Sequence, residues 1–147
     1  MDTKIQAPGE IHPVEQLRDA INTHDLDALV ACFTPDFVSR QPAHPARNFT
    51  GNAQVRENWT MILAGVPDLH ATLLRTGSSG DTLFAEWEWS GTRRDGAPHE
   101  MRGVTVQGTA GGRIAWVNFY MERVDAGEAG VASAIRELTA APAEARR

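Results

Sequence analysis

Residues 82–124 read TLFAEWEWSGTRRDGAPHEMRGVTVQGTAGGRIAWVNFYMERV, and this stretch decides the fold. Two turn signals divide it, Asp95-Gly96 and Gly111-Gly112, and both dipeptides suit the positive φ angles of tight hairpin turns. A third turn signal, Ser78-Ser79-Gly80, precedes it. The pattern therefore predicts an antiparallel meander of four long strands, at about residues 69–77, 82–93, 99–109 and 113–124.

Two-residue turns at both hairpins would fix the strand register, and the register decides which side chains share a face of the sheet. On this assumption one face is almost wholly apolar, and we expect it to be the concave face beneath the helices. Its three rows are Trp89, Arg102 and Met121; Trp87, Val104 and Phe119; and Ala85, Val106 and Val117.

The opposite face of the predicted sheet mixes charged and apolar side chains. Its large apolar members are Phe84, Ile114, Trp116 and Tyr120. An outer face of this kind favours a homodimer built on it. The alternative is a partly apolar sheet face that stays in contact with water.

The first half of the chain has helical periodicity. A first helix follows Pro13, and its apolar positions are Val14, Leu17 and Ile21. Asp25 is placed to cap a second, short helix, which Pro35 is predicted to end. The second helix would bury Leu26, Leu29, Val30 and Phe33.

Residues 36–50 show no period, and we expect a short strand followed by a long loop there. A third helix is predicted to open at Gly51 or Asn52 and to stop at Pro67, with Trp59 in its apolar stripe. Helices followed by strands indicate the α+β class, with the helices packed on one sheet face. The predicted organisation is a flexible leader (1–10), one α+β domain (11–125), and a C-terminal helix and tail (126–147). The apolar positions of that last helix are Val131, Ile135 and Leu138.

Length and charge limit the classes of partner. The 147 residues suffice for one domain with a real core and are too few for two. A net charge of −5 without a cluster of basic residues disfavours nucleic acids and anionic membranes as partners. The first residues lack the apolar core of a signal peptide, and no apolar run could span a bilayer, so a cytoplasmic location is expected.

Four short stretches carry a resemblance to a known family: Gly65-Val66-Pro67-Asp68, Trp89-Ser90-Gly91-Thr92, Arg102-Gly103-Val104-Thr105-Val106 and Gly112-Arg113-Ile114-Ala115-Trp116. In their order and spacing, over nearly all of residues 11–124, the chain resembles the nuclear transport factor 2-like superfamily and, within it, the SnoaL-like group. The resemblance implies a cone-shaped α+β barrel, with three N-terminal helices packed on a bent, mainly antiparallel sheet. It also implies a conical pocket for small hydrophobic molecules, and frequent dimers.

The group includes polyketide cyclases, ketosteroid isomerase-like enzymes and epoxide hydrolases, but their catalytic residues have no match here. The isomerase base falls at Gln41, and an amide cannot take a proton. The Arg-x-Asp pair of the epoxide hydrolases falls near Trp87 and Trp89, and their other aspartate near Phe119. The acid/base histidine of the cyclases falls at Gln107.

Two charged side chains are candidates for chemistry in the pocket. Arg102, on the apolar concave face, would bind an anionic ligand group, or it lies at the sheet edge and pairs with a surface acid. His44 lies in a loop expected over the pocket mouth and titrates near neutral pH, although such histidines are more often surface residues. Glu122 lies near the cyclase aspartate but is expected to point outward, as is His70.

The remaining pocket candidates are uncharged. Indoles offer a large flat contact area and one donor each, or simply pack in the core. The predicted ligand-binding residues are Gln41, Trp59, Trp87, Trp89, Val104, Phe119 and Met121. The five histidines show neither HxH nor HxxxH spacing, so no metal and no cofactor is expected.

Three hypotheses follow for function. The first is a dimeric, cofactor-free protein that encloses a small hydrophobic molecule and acts on it by proton transfer, as a cyclase or isomerase. The second is a binding or accessory module without turnover. The third is a structural dimer whose pocket is filled by its own tryptophans. A titratable group inside the pocket separates the first from the second, and the existence of a cavity separates both from the third.

Overall fold

The computed structural model describes residues 12–141, which form four α-helices and one six-stranded sheet. The helices are α1 (Pro13–Asn22), α2 (Leu26–Ala31), α3 (Asn52–Gly65) and α4 (Val131–Thr139). The strands are β1 (Phe33–Arg40), β2 (Phe49–Thr50), β3 (His70–Ser79), β4 (Thr82–Thr92), β5 (Pro98–Ala110) and β6 (Arg113–Arg123). The predicted leader at 1–10 and the end of the predicted tail, 142–147, lie outside the described residues.

The sheet has the strand order β2-β1-β6-β5-β4-β3. Strand β1 runs parallel to β6, and the other neighbours are antiparallel. The α+β class is therefore confirmed. The short strand expected within residues 36–50 is β1, which begins earlier, at Phe33, and the expected loop contains a further strand, β2. The sheet thus gains two strands beyond the predicted four-stranded meander.

Proline and aspartate begin the first two helices as predicted. Pro13 opens α1, where His12 Nδ1 accepts a hydrogen bond from the Val14 amide (3.2 Å). Asp25 Oδ1 accepts from the Ala28 amide (3.0 Å) and caps α2. The predicted end of α2 at Pro35 is wrong.

Helix α2 ends at Ala31, and the chain passes directly into β1 at Phe33. Pro35 lies within β1, in the interval between Phe33 and Val38 where the register with β6 shifts. A proline is tolerated there because an irregular segment does not need its missing N–H. Phe33 is buried as a strand residue and not on the face of α2.

The core lies between the helices and the inner face of the sheet. Ile21 of α1 and Leu29 of α2 are fully buried, as are Ala85 and Trp87 of β4. Burial of each large apolar side chain contributes about 1.5–3 kcal/mol. Val55 and Trp59 of α3 close the core from the other side, at the predicted apolar positions.

A side-chain amide ties α1 to the edge strand β3. Asn22 Nδ2 donates to the Ala71 carbonyl (2.9 Å), and Asn22 Oδ1 accepts from the Ala71 amide (2.7 Å). Strand β3 lies at the edge of the sheet, where one side of the strand has no neighbouring strand to bind its backbone groups. The Asn22 side chain binds the N–H and the carbonyl of Ala71 there, as a neighbouring strand would. His24 Nε2 makes a further contact with the Leu69 carbonyl (2.8 Å).

The register between β4 and β5 differs by one residue from the prediction. Thr92 pairs with Pro98, so the connection is a five-residue loop at 93–97 and not a two-residue turn. Trp89 consequently faces Met101, and Trp87 faces Gly103. A shift of one residue exchanges the two faces of a strand, so the prediction for β5 is wrong throughout its length.

A bulge at Ala115 shifts the register between β5 and β6. The hairpin itself is the predicted one, with Ala110 opposite Arg113. Beyond it, Thr109 pairs with Ile114 but Gly108 pairs with Trp116, so β6 carries one extra residue. The two one-residue shifts compensate, so beyond the bulge the inward residues of β6 are the predicted Val117, Phe119 and Met121, opposite Gln107, Thr105 and Gly103. Ile114, which precedes the bulge, was predicted on the outer face, and this is wrong, because it is buried and lines the cavity.

The β3–β4 hairpin follows the prediction for its buried side chains. Ser79 pairs with Thr82, and a second bulge at Leu74 shifts the register. The shift places Leu69 and Ala71 in the core and leaves His70 exposed, as expected.

Helix α4 forms at the predicted positions, but its apolar stripe is exposed. Val131 and Leu138 are each 79% exposed and Ile135 is 52% exposed. None of the helices between residues 12 and 141 is long and apolar enough to cross a membrane.

Candidate functional site

A cavity of about 180 Å³ lies between α3 and the inner face of the sheet. Its existence within the described residues argues against a pocket filled entirely by its own tryptophans. Its lining is mostly apolar and rich in aromatic rings. The lining residues are Leu17, Phe33, Phe37, Ser39, Gln41, Phe49, Val55, Asn58, Trp59, Ile62, Trp87, Trp89, Thr105, Gln107, Ile114, Val117 and Phe119.

Four aromatic side chains form one continuous wall, with Trp89 at its centre. The ring centroid of Trp89 lies 5.4 Å from that of Trp59, 6.2 Å from that of Trp87 and 6.0 Å from that of Phe119. These tilted and edge-on geometries are the favourable ones for aromatic pairs. Trp89 Nε1 is sealed from solvent and has no hydrogen-bond partner among the described residues.

Three nearly buried polar side chains lie beside the aromatic wall on the inner face of the sheet, and we call Ser39, Thr105 and Gln107 the polar strip. Ser39 of β1 pairs with Val117 of β6, and Val117 pairs with Gln107 of β5, so all three strands contribute to one row. Thr105 lies two residues before Gln107 on the same face of β5.

Each member of the polar strip retains hydrogen-bonding capacity. Thr105 Oγ1 accepts from Trp87 Nε1 (3.0 Å), and its own hydroxyl proton has no acceptor among residues 12–141. Gln107 Nε2 donates a long hydrogen bond to the Leu83 carbonyl (3.4 Å), and Gln107 Oε1 has no partner within residues 12–141. Ser39 Oγ has no partner among the described residues, and it is not one of the polar atoms sealed from solvent.

Two further amides lie in the lining. Gln41 Oε1 accepts a long hydrogen bond from Arg47 Nη1 (3.4 Å), and the backbone N–H of Gln41 donates to Asn48 Oδ1 (2.8 Å). Asn58 of α3 accepts through Oδ1 from Gln54 Nε2 (2.8 Å), within the helix. Both residues are half-buried, so they bring neutral polar groups to the cavity.

The lining contains no titratable side chain. The described part of the chain also brings no three His, Cys, Asp or Glu residues together in a group suited to a metal ion. Burial raises the pKa of the Cys32 thiol to about 11, against a smaller lowering by Arg113, but Cys32 does not line the cavity. Burial, with Arg123 and Arg93, lowers the pKa of His99, which also lies outside the lining.

The structure places five predicted pocket residues in the lining: Gln41, Trp59, Trp87, Trp89 and Phe119. Met121 is buried in the core next to them without lining the cavity.

Two predicted pocket residues lie on the outer face, because β5 is shifted by one residue. Val104 pairs with Glu86 and Tyr120 there. The same shift moves Arg102, one of the two predicted catalytic residues, out of the cavity. Its side chain is 62% exposed, and its Nε lies 3.6 Å from Glu88 Oε1. Arg102 is therefore a surface residue and carries no anion-binding role in the cavity.

His44, the other catalytic candidate, pairs with Glu122. His44 Nε2 lies 2.7 Å from Glu122 Oε1, and the two side chains are 37% and 59% exposed. His44 belongs to the β1–β2 connection, three residues after Gln41, but it does not line the cavity. Glu122 points outward, as the sequence predicted, since it pairs with Arg102 on the outer face.

The polar strip is what sequence reasoning missed. The predicted register placed Thr105 and Gln107 outside, and Ser39 lay in a segment without a period. The only usable signal was the resemblance, which placed the cyclase histidine at Gln107. Three phenylalanines of β1 and β2 complete the lining. Phe33 was expected to be buried, but on the second helix, and Phe37 and Phe49 had no signal of their own.

The sequence model of the SnoaL-like domain matches residues 14–117. A protein of ketosteroid isomerase-like fold from Catenulispora acidiphila, solved with trimethylamine, is 20% identical with a TM-score of 0.65, covering 78% of this chain and 87% of its own. IdmH from Streptomyces antibioticus, a candidate polyketide cyclase, is 22% identical with a TM-score of 0.65 (75% and 89% covered). An epoxide hydrolase of Mycobacterium tuberculosis is 18% identical with a TM-score of 0.65 (76% and 81% covered).

No curated protein matches the chain significantly. These three solved structures are each less than 25% identical to this chain, so they establish the fold and leave the chemistry open. They share the helices-on-sheet architecture that encloses the cavity, and the family match covers the elements from α1 to the middle of β6. The resemblance drawn from the sequence is therefore confirmed, and the chain belongs to the SnoaL-like domain family.

Proposed function

We propose that this protein binds a small, uncharged and largely hydrophobic organic molecule in the cavity beneath α3. The observation that carries the proposal is the lining, which joins an aromatic wall to neutral polar groups and contains no titratable side chain. The cavity of about 180 Å³ is comparable to an apolar cavity of about 150 Å³ that admits benzene. A ligand of one or two rings therefore fits better than a larger polycycle.

The absence of charge from the lining supports a neutral ligand. A carboxylate or phosphate would enter without an arginine or lysine to pair with it, since Arg102 lies on the outer face. An ammonium ion would meet aromatic faces but no carboxylate. An unpaired charge in an apolar site is costly, so either ion is disfavoured relative to an uncharged molecule of the same size.

The same lining favours binding over acid–base catalysis inside the cavity. General acid–base catalysis needs a group that exchanges a proton near the operating pH. Gln41 and Gln107 occupy the places that the resemblance assigns to an isomerase base and a cyclase histidine, and neither amide can exchange one. The binding or accessory module is therefore the function we propose first.

Tryptophan fluorescence tests this proposal in a Trp116→Phe background. Trp116 is the one tryptophan that lies outside the cavity, so the three that remain all line it. We expect saturable quenching by neutral bicyclic compounds such as 1-tetralone and 1-tetralol. Tetramethylammonium serves as the cationic comparison, because one structural neighbour was solved with trimethylamine. Quenching by the cation alone would overturn the uncharged ligand, and no quenching by any compound would overturn binding.

A second candidate function, proton transfer at the β1–β2 connection, has one observation in its favour. The 2.7 Å contact between His44 and Glu122 is the geometry of a histidine oriented by a carboxylate. A ketone reports such a base through exchange of its α-protons in D₂O. If the pair acts, the protein accelerates exchange in 1-tetralone and His44→Ala abolishes the acceleration. Equal exchange rates with and without protein would exclude this function.

We also propose that the outer face of the sheet mediates self-association. Phe84 is 38% exposed and Tyr120 is 45% exposed, and the partly exposed Trp116 lies on the same face. A two-fold interface would place this patch against its own copy. Analytical ultracentrifugation should show a dimer that Tyr120→Glu converts to a monomer. A wild-type protein that is still monomeric at about 100 μM, on the order of the dissociation constant of a weak dimer, would contradict the proposal.

A further inference from the structure

The polar strip has hydrogen-bonding capacity that the described residues do not use. Ser39, Thr105 and Gln107 are each more than nine-tenths buried. A buried polar atom without a partner is unfavourable, and such atoms in native proteins are usually satisfied by water or by a ligand. The strip therefore indicates which polar groups a molecule in the cavity has to bring.

The orientation of each group follows from the partner it already has. Because Gln107 Nε2 is directed at the Leu83 carbonyl, the acceptor Oε1 is the end left for a ligand. Because Thr105 Oγ1 already accepts from Trp87 Nε1, its hydroxyl proton is the end left over, and it donates. Gln107 thus requires a donor from the ligand, and Thr105 requires an acceptor.

A single hydroxyl group meets both requirements. Thr105 and Gln107 lie two residues apart on one face of β5, with Cα atoms about 7 Å apart in an extended strand. Ser39 lies one strand beyond Val117, so its Cα is about 10 Å from that of Gln107, and its hydroxyl can serve either role. The aromatic wall lies beside the strip on the same face of the sheet, with Trp59 of α3 above it, and supplies the surface for the rest of the molecule.

Resting on the proposed binding function, we propose that the ligand is a neutral alcohol with one or two rings. Its ring system packs against Trp59, Trp89 and Phe119. Its hydroxyl group donates to Gln107 Oε1 and accepts from the Thr105 hydroxyl. The oxygen is thereby held at the polar strip and the ring system against the aromatic side chains beside it and above it on α3, which gives the site a preferred orientation for its ligand.

Calorimetric titration with three compounds on one skeleton tests the proposal: 1-tetralol, its methyl ether and tetralin. The ether lacks the donor, and tetralin lacks both donor and acceptor. We expect 1-tetralol to lose about three- to tenfold in affinity in Gln107→Leu, while tetralin changes by less than about twofold. Thr105→Ser keeps the hydroxyl and should retain affinity for 1-tetralol. Arg102→Gln, on the opposite face of β5, is the matched control and should change nothing.

The outcomes separate this proposal from the binding function on which it rests. If all three compounds bind and Gln107→Leu weakens them equally or not at all, the alcohol is wrong and the hydrophobic binding function stands. If none of the three binds to the wild-type protein, both are wrong. Circular dichroism of each variant establishes that it is folded, and Gln107→Met provides a second variant of similar shape without the amide acceptor, which should also weaken 1-tetralol selectively.

Discussion

Replacing Thr105 with valine removes one partner of a buried hydrogen bond while keeping the shape of the side chain. Trp87 is 1% exposed, and its Nε1 donates to Thr105 Oγ1 at 3.0 Å. Without the oxygen, the indole N–H stays buried and unpaired, which costs about 1–3 kcal/mol. We expect the free energy of unfolding to fall by about 2 kcal/mol, or the Tm by about 4–8 °C for a chain of this size.

Urea denaturation followed by far-ultraviolet circular dichroism measures the loss. The matched control is Val106→Thr, the reverse exchange on the next residue of β5, which faces outward and pairs with Asn118. Its expected effect is below about 0.5 kcal/mol. If the register predicted from sequence were the true one, the results would be exchanged. A neutral Thr105→Val with a destabilising Val106→Thr would therefore refute the placement of the polar strip.

A double-mutant cycle assigns the loss to the hydrogen bond. Trp87→Phe alone removes the donor, and its combination with Thr105→Val leaves neither polar group behind. We expect the combined loss to be smaller than the sum of the two single losses by about 1 kcal/mol. Strict additivity would mean that the valine acts through packing and not through the indole.

Three further predictions concern other parts of the molecule. The Cys32 pKa is raised to about 11 from an ordinary 9.0, so the folded state keeps the thiol proton above pH 9 while the unfolded state loses it. The free energy of unfolding of the wild-type protein should therefore fall by up to about 3 kcal/mol between pH 9 and 11, relative to Cys32→Ala. Equal pH profiles of the two proteins in urea titrations would contradict this. Gly108→Ala should lower the Tm by the equivalent of about 1–3 kcal/mol, because its Cβ would overlap the Trp116 indole; an unchanged melting curve would exclude that packing. A hydrogen bond from the Thr92 backbone amide lowers the pKa of Asp68, so the carboxylate stabilises the fold above its ordinary pKa, and this stabilisation is lost as the pH falls. Asp68→Asn should therefore flatten the dependence of the free energy of unfolding on pH between about 6 and 3. Parallel curves for the wild-type protein and the variant would contradict this prediction.

The inner faces of β4 and β6 could be predicted from sequence, because large apolar residues alternate strongly along both strands. Trp87, Trp89 and Phe119 were placed in the cavity for that reason, and the structure confirms their position. The helices with proline or aspartate at their start could be predicted as well, since those residues act within one turn of the chain.

Strand β5 could not be predicted, because its hydrophobic pattern points to the wrong face. The valines at 104 and 106 face outward, while Thr105 and Gln107 face the cavity. Two local features decide this, a five-residue loop at 93–97 and a bulge at Ala115. Each moves the register by one residue, and neither leaves a sequence signal stronger than the Asp-Gly and Gly-Gly turns beside it.

Strand β1 was predicted only in part, as a short strand within residues 36–50, for a different reason. It contains Pro35 and Asp36, both poor strand residues, and its buried positions are interrupted at the irregularity between Phe33 and Val38. Its place in the sheet comes from pairing with β6, more than 70 residues away in the chain, which no local pattern reports. Ser39, one member of the polar strip, was lost with it.

The central claim is that the cavity beneath α3 binds a neutral molecule against its tryptophans. The four indole N–H groups report it directly in a two-dimensional ¹H–¹⁵N spectrum, assigned by single Trp→Phe variants and recorded during titration with 1-tetralol. We predict that the signals of Trp59, Trp87 and Trp89 move and saturate together, while that of Trp116, on the outer face, stays in place. The account would be contradicted by a spectrum in which only the Trp116 signal moves. It would also be contradicted if no indole signal moved at a millimolar ligand concentration, on the order of the dissociation constant of weak specific binding.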